Sequence, residues 1–205
     1  MRILLVRHGE TAWNIGKRRF RGQIDIELSS FGKEQADAAG KRLASESIDV
    51  IMYGPLARTK QTAEGISKYK PKTPLLEEPL LLDISFGDWQ GRTHEEVFAE
   101  NPILEEFWNN QPEKLVFPNG ESWYRVFERV DLMFKKLVKS EYNTVVLVTH
   151  RVVANIILLY ILGLEISHFW DFEIETASIT ELSLEKDGSC KIVRTNDTNH
   201  LTKKD

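Results

Sequence analysis

One cysteine, Cys190, is all that the 205 residues hold, so no internal disulfide can form and a reducing compartment is expected. Long apolar runs are missing too. The most apolar stretch, 156–164, is too short to span a bilayer and reads as a buried helix. The opening apolar run meets a charged motif within eight residues, which excludes an ordinary signal peptide and points to the cytoplasm. There is no excess of basic charge: 27 Lys and Arg face 31 Asp and Glu, a formal net charge of −4. Neither nucleic acid nor a membrane surface is an expected partner, and a site for anions must be a local positive pocket on a negative body. The five histidines are scattered and offer no compact metal-ligand spacing. Repeats and low-complexity linkers are absent, so residues 1–205 read as one domain, long enough to bury a substantial core.

What is present is organised around Leu4-Leu5-Val6-Arg7-His8-Gly9-Glu10-Thr11. Ile3 to Val6 is a short apolar run of the kind that forms a buried parallel strand. Arg7 and His8 follow at its carboxyl end, where ligands bind in open α/β sheets. Arg is a permanently charged fork suited to phosphate oxygens, and His is a nucleophile or proton carrier near neutral pH. The strand Thr144–Thr149 ends in His150-Arg151 and so echoes the first. A second histidine at a second strand end is the strongest signal internal to the chain.

Between these ends, helices and strands alternate. A basic run, 17–22, reads as a solvated loop, with one or two of its arginines as candidates to face the crevice. Ser29 or Ser30 caps a helix to about Ser45. Ile48 to Tyr53 is a strand. A helix follows up to Tyr69, with Arg58 in its first turn, where a cation works against the helix dipole but sits well to meet an anion. Leu75-Leu76 is a third strand. The stretch 81–91 is a structured loop offering the carboxylates Asp83 and Asp88. Thr93 with Glu96 forms a capping box for a helix of about eight residues, and Pro102 opens another. Residues of about 84–120 read as an insertion that forms a lid. A long helix starts near Glu121, with Val126, Val130, Met133 and Leu137 on its core face. Ala154 to Leu162 is helical and Gly163 ends it. A hairpin turned at Asp187-Gly188 closes the fold. The tail, with His200 and the pair Lys203-Lys204, reads as partly disordered.

Assembled in this order, the motifs resemble those of the histidine phosphatase superfamily, the phosphoglycerate-mutase-like enzymes, over nearly the whole chain. The resemblance rests on Leu5-Val6-Arg7-His8-Gly9-Glu10-Thr11 with Trp13-Asn14, then Arg21-Gly22, Asp25, Leu28, Gly32 and Gln35-Ala36. It continues in Pro55-Leu56-Ala57-Arg58-Thr59-Lys60-Gln61-Thr62-Ala63, Phe86-Gly87-Asp88-Trp89-Gln90-Gly91, Gly120-Glu121-Ser122 and Val148-Thr149-His150. Within the superfamily the chain is similar to the phosphatase branch of broad-specificity and α-ribazole phosphatases. The resemblance implies an α/β fold, a three-layer α/β/α sandwich with a mostly parallel sheet and one antiparallel edge strand. It implies His8 as a nucleophile that becomes phosphohistidine, with Arg7, Arg58 and His150 completing a phosphate pocket. Asn14, Arg21, Gln23, Thr149 and Arg151 become candidate substrate contacts. No metal and no cofactor are required, because two arginines and a histidine supply the stabilisation that spreading phosphoryl charge needs.

The chain departs from the pattern in three places. The general acid, commonly Glu, falls on Asp83, which is shorter by roughly 1.5 Å of reach and ordinarily about 0.4 lower in pKa; Asp88 is the alternative, though a loop-stabilising aspartate is the commoner reading. Arg151 stands where many members have Gly, adding a cation near the pocket or an outward salt bridge. Gly54 stands where Ser is frequent. His200 caps the domain or contacts the site. The expected function is a metal-independent phosphatase of small phosphorylated metabolites. A mutase of the same fold, or a phosphate-binding module with weak catalysis, is the alternative. For the substrate, Trp13, Phe20, Phe86, Trp89, Phe107 and Trp108 could wall a permissive pocket, or Arg19, Arg21 and Arg151 could bind a second acidic group. The oligomeric state is not legible.

Overall fold

A computed structural model describes residues 1–201 of the chain; the pair Lys203-Lys204 lies outside the described residues. The strands are β1 (Arg2–Arg7), β2 (Val50–Tyr53), β3 (Leu75–Glu77), β4 (Thr144–Thr149), β5 (Ile179–Leu184) and β6 (Cys190–Asp197). They form one six-stranded sheet in the order β3-β2-β4-β1-β5-β6. β4 pairs in parallel with β2 on one side and β1 on the other. The expected reversed strand is β5, antiparallel to both neighbours; it lies one place in from the edge because β6 pairs on its outer side.

Alternation along the strands builds the layers. Successive side chains of a strand point to opposite faces. In β1, Leu4 and Val6 pack with Val146, Val148, Ile51, Ala39, Leu43, Ala63 and Ile66. That face is covered by α1 (Ser30–Leu43) and α2 (Ala57–Ser67). Ile3 and Leu5 pack the other way with Val145, Leu147 and Met52, against Val130, Met133, Leu137, Val153 and Ile157. Those last come from α5 (Trp123–Val138) and α6 (Arg151–Leu162). The all-apolar runs of β1 and β4 follow from burial on both faces. Each such side chain contributes on the order of 2 kcal/mol on burial.

Local signals account for most boundaries. The Ser29 hydroxyl accepts from the Gly32 amide and starts α1, and the Ser122 hydroxyl accepts from the Arg125 amide and starts α5. Thr93 and Glu96 form the reciprocal capping box of α3 (His94–Glu100). A short helix, α4 (Ile103–Asn110), follows. Gly163 ends α6 in the left-handed region at φ 64°.

The topology creates one crevice. The chain leaves β1 for α1 and turns toward β2, whereas it leaves β4 for α6 on the opposite face and turns toward β5. The carboxyl ends of adjacent β1 and β4 therefore flank a switch point, the preferred place for a ligand in such sheets. Register aligns Arg7 with Thr149, and the His8 amide donates to the Thr149 carbonyl at 2.9 Å. His8 and His150 thus emerge side by side.

The loop after β1 crosses α1 with no room for side chains. A Cβ on Gly9 would come within 2.5 Å of the Gly32 carbonyl oxygen, and one on Gly32 within 2.0 Å of the Glu10 oxygen. Gly32→Ala is accordingly expected to cost about 3 kcal/mol of stability, read as a lowered midpoint in urea unfolding at unchanged slope.

Candidate active site

The crevice at the switch point opens into a cleft of about 420 Å³. Its inner wall is formed by Arg7, Arg21 and Asp83. His8, Arg58 and His150 lie one layer below, at 2%, 0% and 0% exposure. The five residues expected to carry chemistry are therefore brought together, three of them beneath the floor.

His8 is turned by its own backbone. Its Nδ1 lies 2.7 Å from the Gly9 carbonyl oxygen, which can only accept, so Nδ1 carries the proton and Nε2 holds a lone pair. That lone pair faces the Arg21 guanidinium, with Nη1 3.5 Å away. Burial, and then the positive charges of Arg58, Arg21 and Arg7, hold the His8 pKa well below the ordinary histidine value. The ring is neutral at physiological pH, as a nitrogen nucleophile must be. The Gly9 amide donates to the Thr62 hydroxyl and the Glu10 amide to the Gln35 side chain, which fixes the loop on both sides.

Arg58 is fully buried in the first turn of α2. Its fork is held on every arm: Nε to His150 Nδ1 at 3.2 Å, Nη1 to the Ile24 carbonyl at 2.9 Å, Nη2 to the Gly22 carbonyl at 2.6 Å and to Asp83 Oδ2 at 3.2 Å. The donation fixes the His150 tautomer, leaving Nδ1 as acceptor and the proton on Nε2. That buried Nε2 meets no partner among the described residues. Gly54 faces it, for a Cβ built there would lie 3.5 Å from Nε2 but only 2.6 Å from the Leu81 carbonyl oxygen. Burial, then Arg58, Arg21 and Arg7, keep His150 neutral as well.

Asp83 is nearly buried and pairs with Arg58, its Oδ1 accepting from the Ile84 amide at 3.0 Å. Burial raises its pKa above the ordinary carboxyl value against the pull of Arg58 and Arg21, so it retains a proton to higher pH than a free aspartate. The loop that presents it is anchored by Arg129. Nη1 of that residue donates to the Leu80 and Leu82 carbonyls at 2.8 and 2.9 Å, while Nε and Nη2 grip Glu121 at 2.7 and 3.0 Å. Arg7 donates to the Ile174 carbonyl at 2.6 Å. Burial lowers the pKa of Arg7 to about 9 and of Arg21 to about 10, and both remain charged at neutral pH. The Nε groups of both are buried without a partner among the described residues, an arrangement that suits an incoming anion.

The other expected contacts divide. Asn14 and Arg151 line the cleft, as do Arg18 and Arg19 from the basic run. Asn14 Oδ1 accepts from the Thr11 amide and hydroxyl, both at 2.9 Å. Gln23 and Thr149 are instead scaffold: Gln23 Nε2 donates to the Asp83 carbonyl at 3.1 Å, and the buried Thr149 hydroxyl donates to the Leu81 carbonyl at 2.9 Å. One side-chain donor of each is thus held within the protein. Asp88 is exposed and accepts from Asn119 Nδ2 at 3.0 Å, outside the cleft wall. His200 Nε2 lies 3.0 Å from the Ala177 carbonyl oxygen, and the Ala177 amide donates to the carbonyls of Arg7 and His8 at 3.0 and 3.2 Å. His200 therefore braces the motif from behind. Of the aromatics, Trp13, Phe20, Phe86 and Trp108 reach the cleft, while Trp89 and Phe107 are not on its wall. Phe169, Trp170, His94 and Glu175 also line it. No motif announced these four; His94 is remote in sequence from the other three and meets them only in the fold.

Residues 3–198 match the family described as the histidine phosphatase superfamily, branch 1. The chain belongs to that superfamily. A relative named phosphoserine phosphatase 1, from Hydrogenobacter thermophilus, is 36% identical over 203 residues, covering 98% of this chain and 94% of its own. An Escherichia coli relative named adenosylcobalamin/alpha-ribazole phosphatase is 27% identical over 176 residues, covering 85% and 86%. Among solved structures, Bacillus stearothermophilus YhfR superposes with a TM-score of 0.90 at 27% identity, over 97% of this chain and 98% of that one. Both named curated relatives of this histidine phosphatase are phosphatases, hydrolases of phosphomonoesters. No helix among its described residues is long and apolar enough to cross a membrane.

The buried neutral histidines make stability depend on pH. A histidine whose folded pKa lies below its unfolded value binds protons preferentially when unfolded, so the native state loses stability as pH falls below about 6.5. Each such group adds up to about 1.4 kcal/mol per pH unit to that loss. The native protein is expected to weaken from pH 7 to pH 5, and His8→Asn to flatten the slope, as read by urea unfolding across that range.

Proposed function

We propose that this histidine phosphatase hydrolyses small phosphomonoesters in two steps through phosphohistidine at His8. The observation that carries the reading is the orientation of His8: Nδ1–H is tied to the Gly9 carbonyl and the Nε2 lone pair faces the Arg21 guanidinium. Nε2 attacks phosphorus while the ester P–O bond breaks, and Asp83 gives its proton to the departing oxygen. Water then attacks phosphorus, the P–N bond breaks, Asp83 takes the proton back, and inorganic phosphate leaves. The substrate phosphate draws the Arg21 guanidinium away from Nε2 onto its own oxygens. Arg7, Arg21 and Arg58 stabilise the equatorial charge, the usual dominant contribution in phosphoryl transfer. Segment 84–120 serves as the lid, since Phe86, His94 and Trp108 from it face the cleft. On this reading the chemistry needs neither metal nor cofactor, the partner is a small phosphorylated metabolite, and nucleic acid is not a substrate.

The test is phosphate release from a panel of phosphomonoesters in the presence of a chelator. Turnover is expected to survive the chelator and to fall at least about a thousandfold in His8→Ala; hydrolysis retained by that variant would overturn the assignment. Asp83→Asn is expected to slow alkyl phosphates on the order of a hundredfold or more. Aryl phosphates, whose leaving groups need less protonation, are expected to lose far less. Equal losses on both would remove Asp83 as the acid. In the native enzyme, kcat on alkyl phosphates is expected to decline as pH rises through the raised pKa of Asp83.

A further inference from the structure

Charge in this protein is distributed unevenly. Of its twelve arginines, six hold an ion pair among the described residues: Arg2, Arg42, Arg58, Arg92, Arg129 and Arg194. Five of the remaining six, Arg7, Arg18, Arg19, Arg21 and Arg151, line one cleft. Arg7 and Arg21 are accounted for by the transferring phosphoryl group. Arg18, Arg19 and Arg151 sit at the outer part of the same cleft and take no part in that chemistry.

Arg151 is the best fixed of the three. It is the first residue of α6, directly after His150, so its Cα lies about 3.8 Å from that of a buried site residue. Its guanidinium carbon lies 5.0 Å from the centre of the Trp170 ring. Trp170 is itself immobilised: its indole N–H donates to the Trp108 carbonyl, and its ring meets Phe169 edge-on at 4.7 Å and 82°. A guanidinium stacked on an indole still presents its N–H edges in plane, the geometry that grips a carboxylate or phosphate by two parallel hydrogen bonds. Arg18 is close enough that its charge lowers the proton affinity of Arg151, and Arg151 does the same to Arg7. Arg18, Arg151 and Arg7 all line the one cleft, so positive charge extends along it to the phosphate pocket. Glu10 and Glu175 also face the cleft; they interrupt the positive surface and disfavour a long polyanion lying along it.

We propose that Arg151, stacked on Trp170 and assisted by Arg18, forms a second anion subsite, so that the preferred substrates are small phosphomonoesters carrying a carboxylate or second phosphate near the ester. The subsite rests on the phosphatase reading above and names its substrate class. Arg151 is a specificity residue here: it orients the part of the substrate that does not react, and its contribution appears in kcat/KM.

The experiment measures kcat/KM for two compounds of like size, 3-phosphoglycerate and glycerol 3-phosphate, which differ chiefly in the carboxylate. In the native enzyme the ratio is expected to favour the carboxylate by tenfold or more. Arg151→Met keeps length and apolar stem, and it is expected to bring that ratio to within about threefold of unity, mainly through KM. Because its side chain is exposed, the fold is not at stake. Arg151→Glu is expected to shift preference toward phosphoethanolamine, whose second group is a cation. A native ratio near one, or a ratio that survives in Arg151→Met, would overturn the subsite while leaving the phosphatase reading intact. No turnover of either compound or of an aryl phosphate by the native enzyme would overturn both.

Discussion

A hydrogen bond between a side chain and the next carbonyl, His8 Nδ1–H to Gly9, is the contact on which the rest of this structure depends. It decides which nitrogen of the ring is free, and it does so without a carboxylate, whose charge would raise the basicity of the ring. The Gly9 carbonyl can take that position only because the loop after β1 runs tightly against α1, and Gly9 and Gly32 are the residues that allow the approach. Thr62 on α2 and Gln35 on α1 hold adjacent amides of the loop. Helices that read as packing elements are thus also the frame of one imidazole.

The second constraint is electrostatic. Guanidinium groups are gathered around a neutral ring on a protein whose net charge is negative, and one carboxylate, Asp83, lies among them. Two buried Nε groups and the buried His150 Nε2 have no partner among the described residues, and buried donors left unpaired are destabilising. An anion that satisfies them is favoured for that reason, and its binding raises the stability of the folded state. Burial raises the proton affinity of the carboxylate, although Arg58 and Arg21 oppose this. Arg129 and Glu121 hold the loop around it through backbone carbonyls, so the acid is placed by residues that never touch the ligand.

Much of this was legible from the chain. The apolar runs of β1 and β4 announced strands buried on both faces, and the polar residues ending each run announced the crevice. The misfit of a cation in the first turn of α2 pointed to Arg58, and the capping box at Thr93 stands where its four-residue pattern placed it. Other parts were not legible because they depend on which distant groups meet. Gln23 and Thr149 are candidate ligand contacts by the resemblance, and only the fold shows that one donor of each holds the Asp83 or the Leu81 carbonyl. Whether Arg151 would turn inward or pair outward depended on Trp170, which sits in a short turn, Ile166–Asp171, with no periodic pattern to flag it. Likewise, the bracing of the motif by Ala177 and His200 joins residues some 170 to 190 positions apart, and only the sheet brings them together.

The register of β1 has a consequence for how the molecule is made. Its two partners in the sheet are β4 and β5, and the amino group of Met1 donates to the Leu184 carbonyl. The strand that carries the nucleophile is therefore without a sheet partner until β4 has been synthesised, and lacks its second neighbour until β5 has followed. Until then its apolar residues have no sheet to join, and the motif exists in a nascent chain without its site. Contacts of such long sequence separation slow folding and lengthen exposure to aggregation and chaperones. In this molecule the strand that carries the nucleophile waits for partners that lie far along the chain.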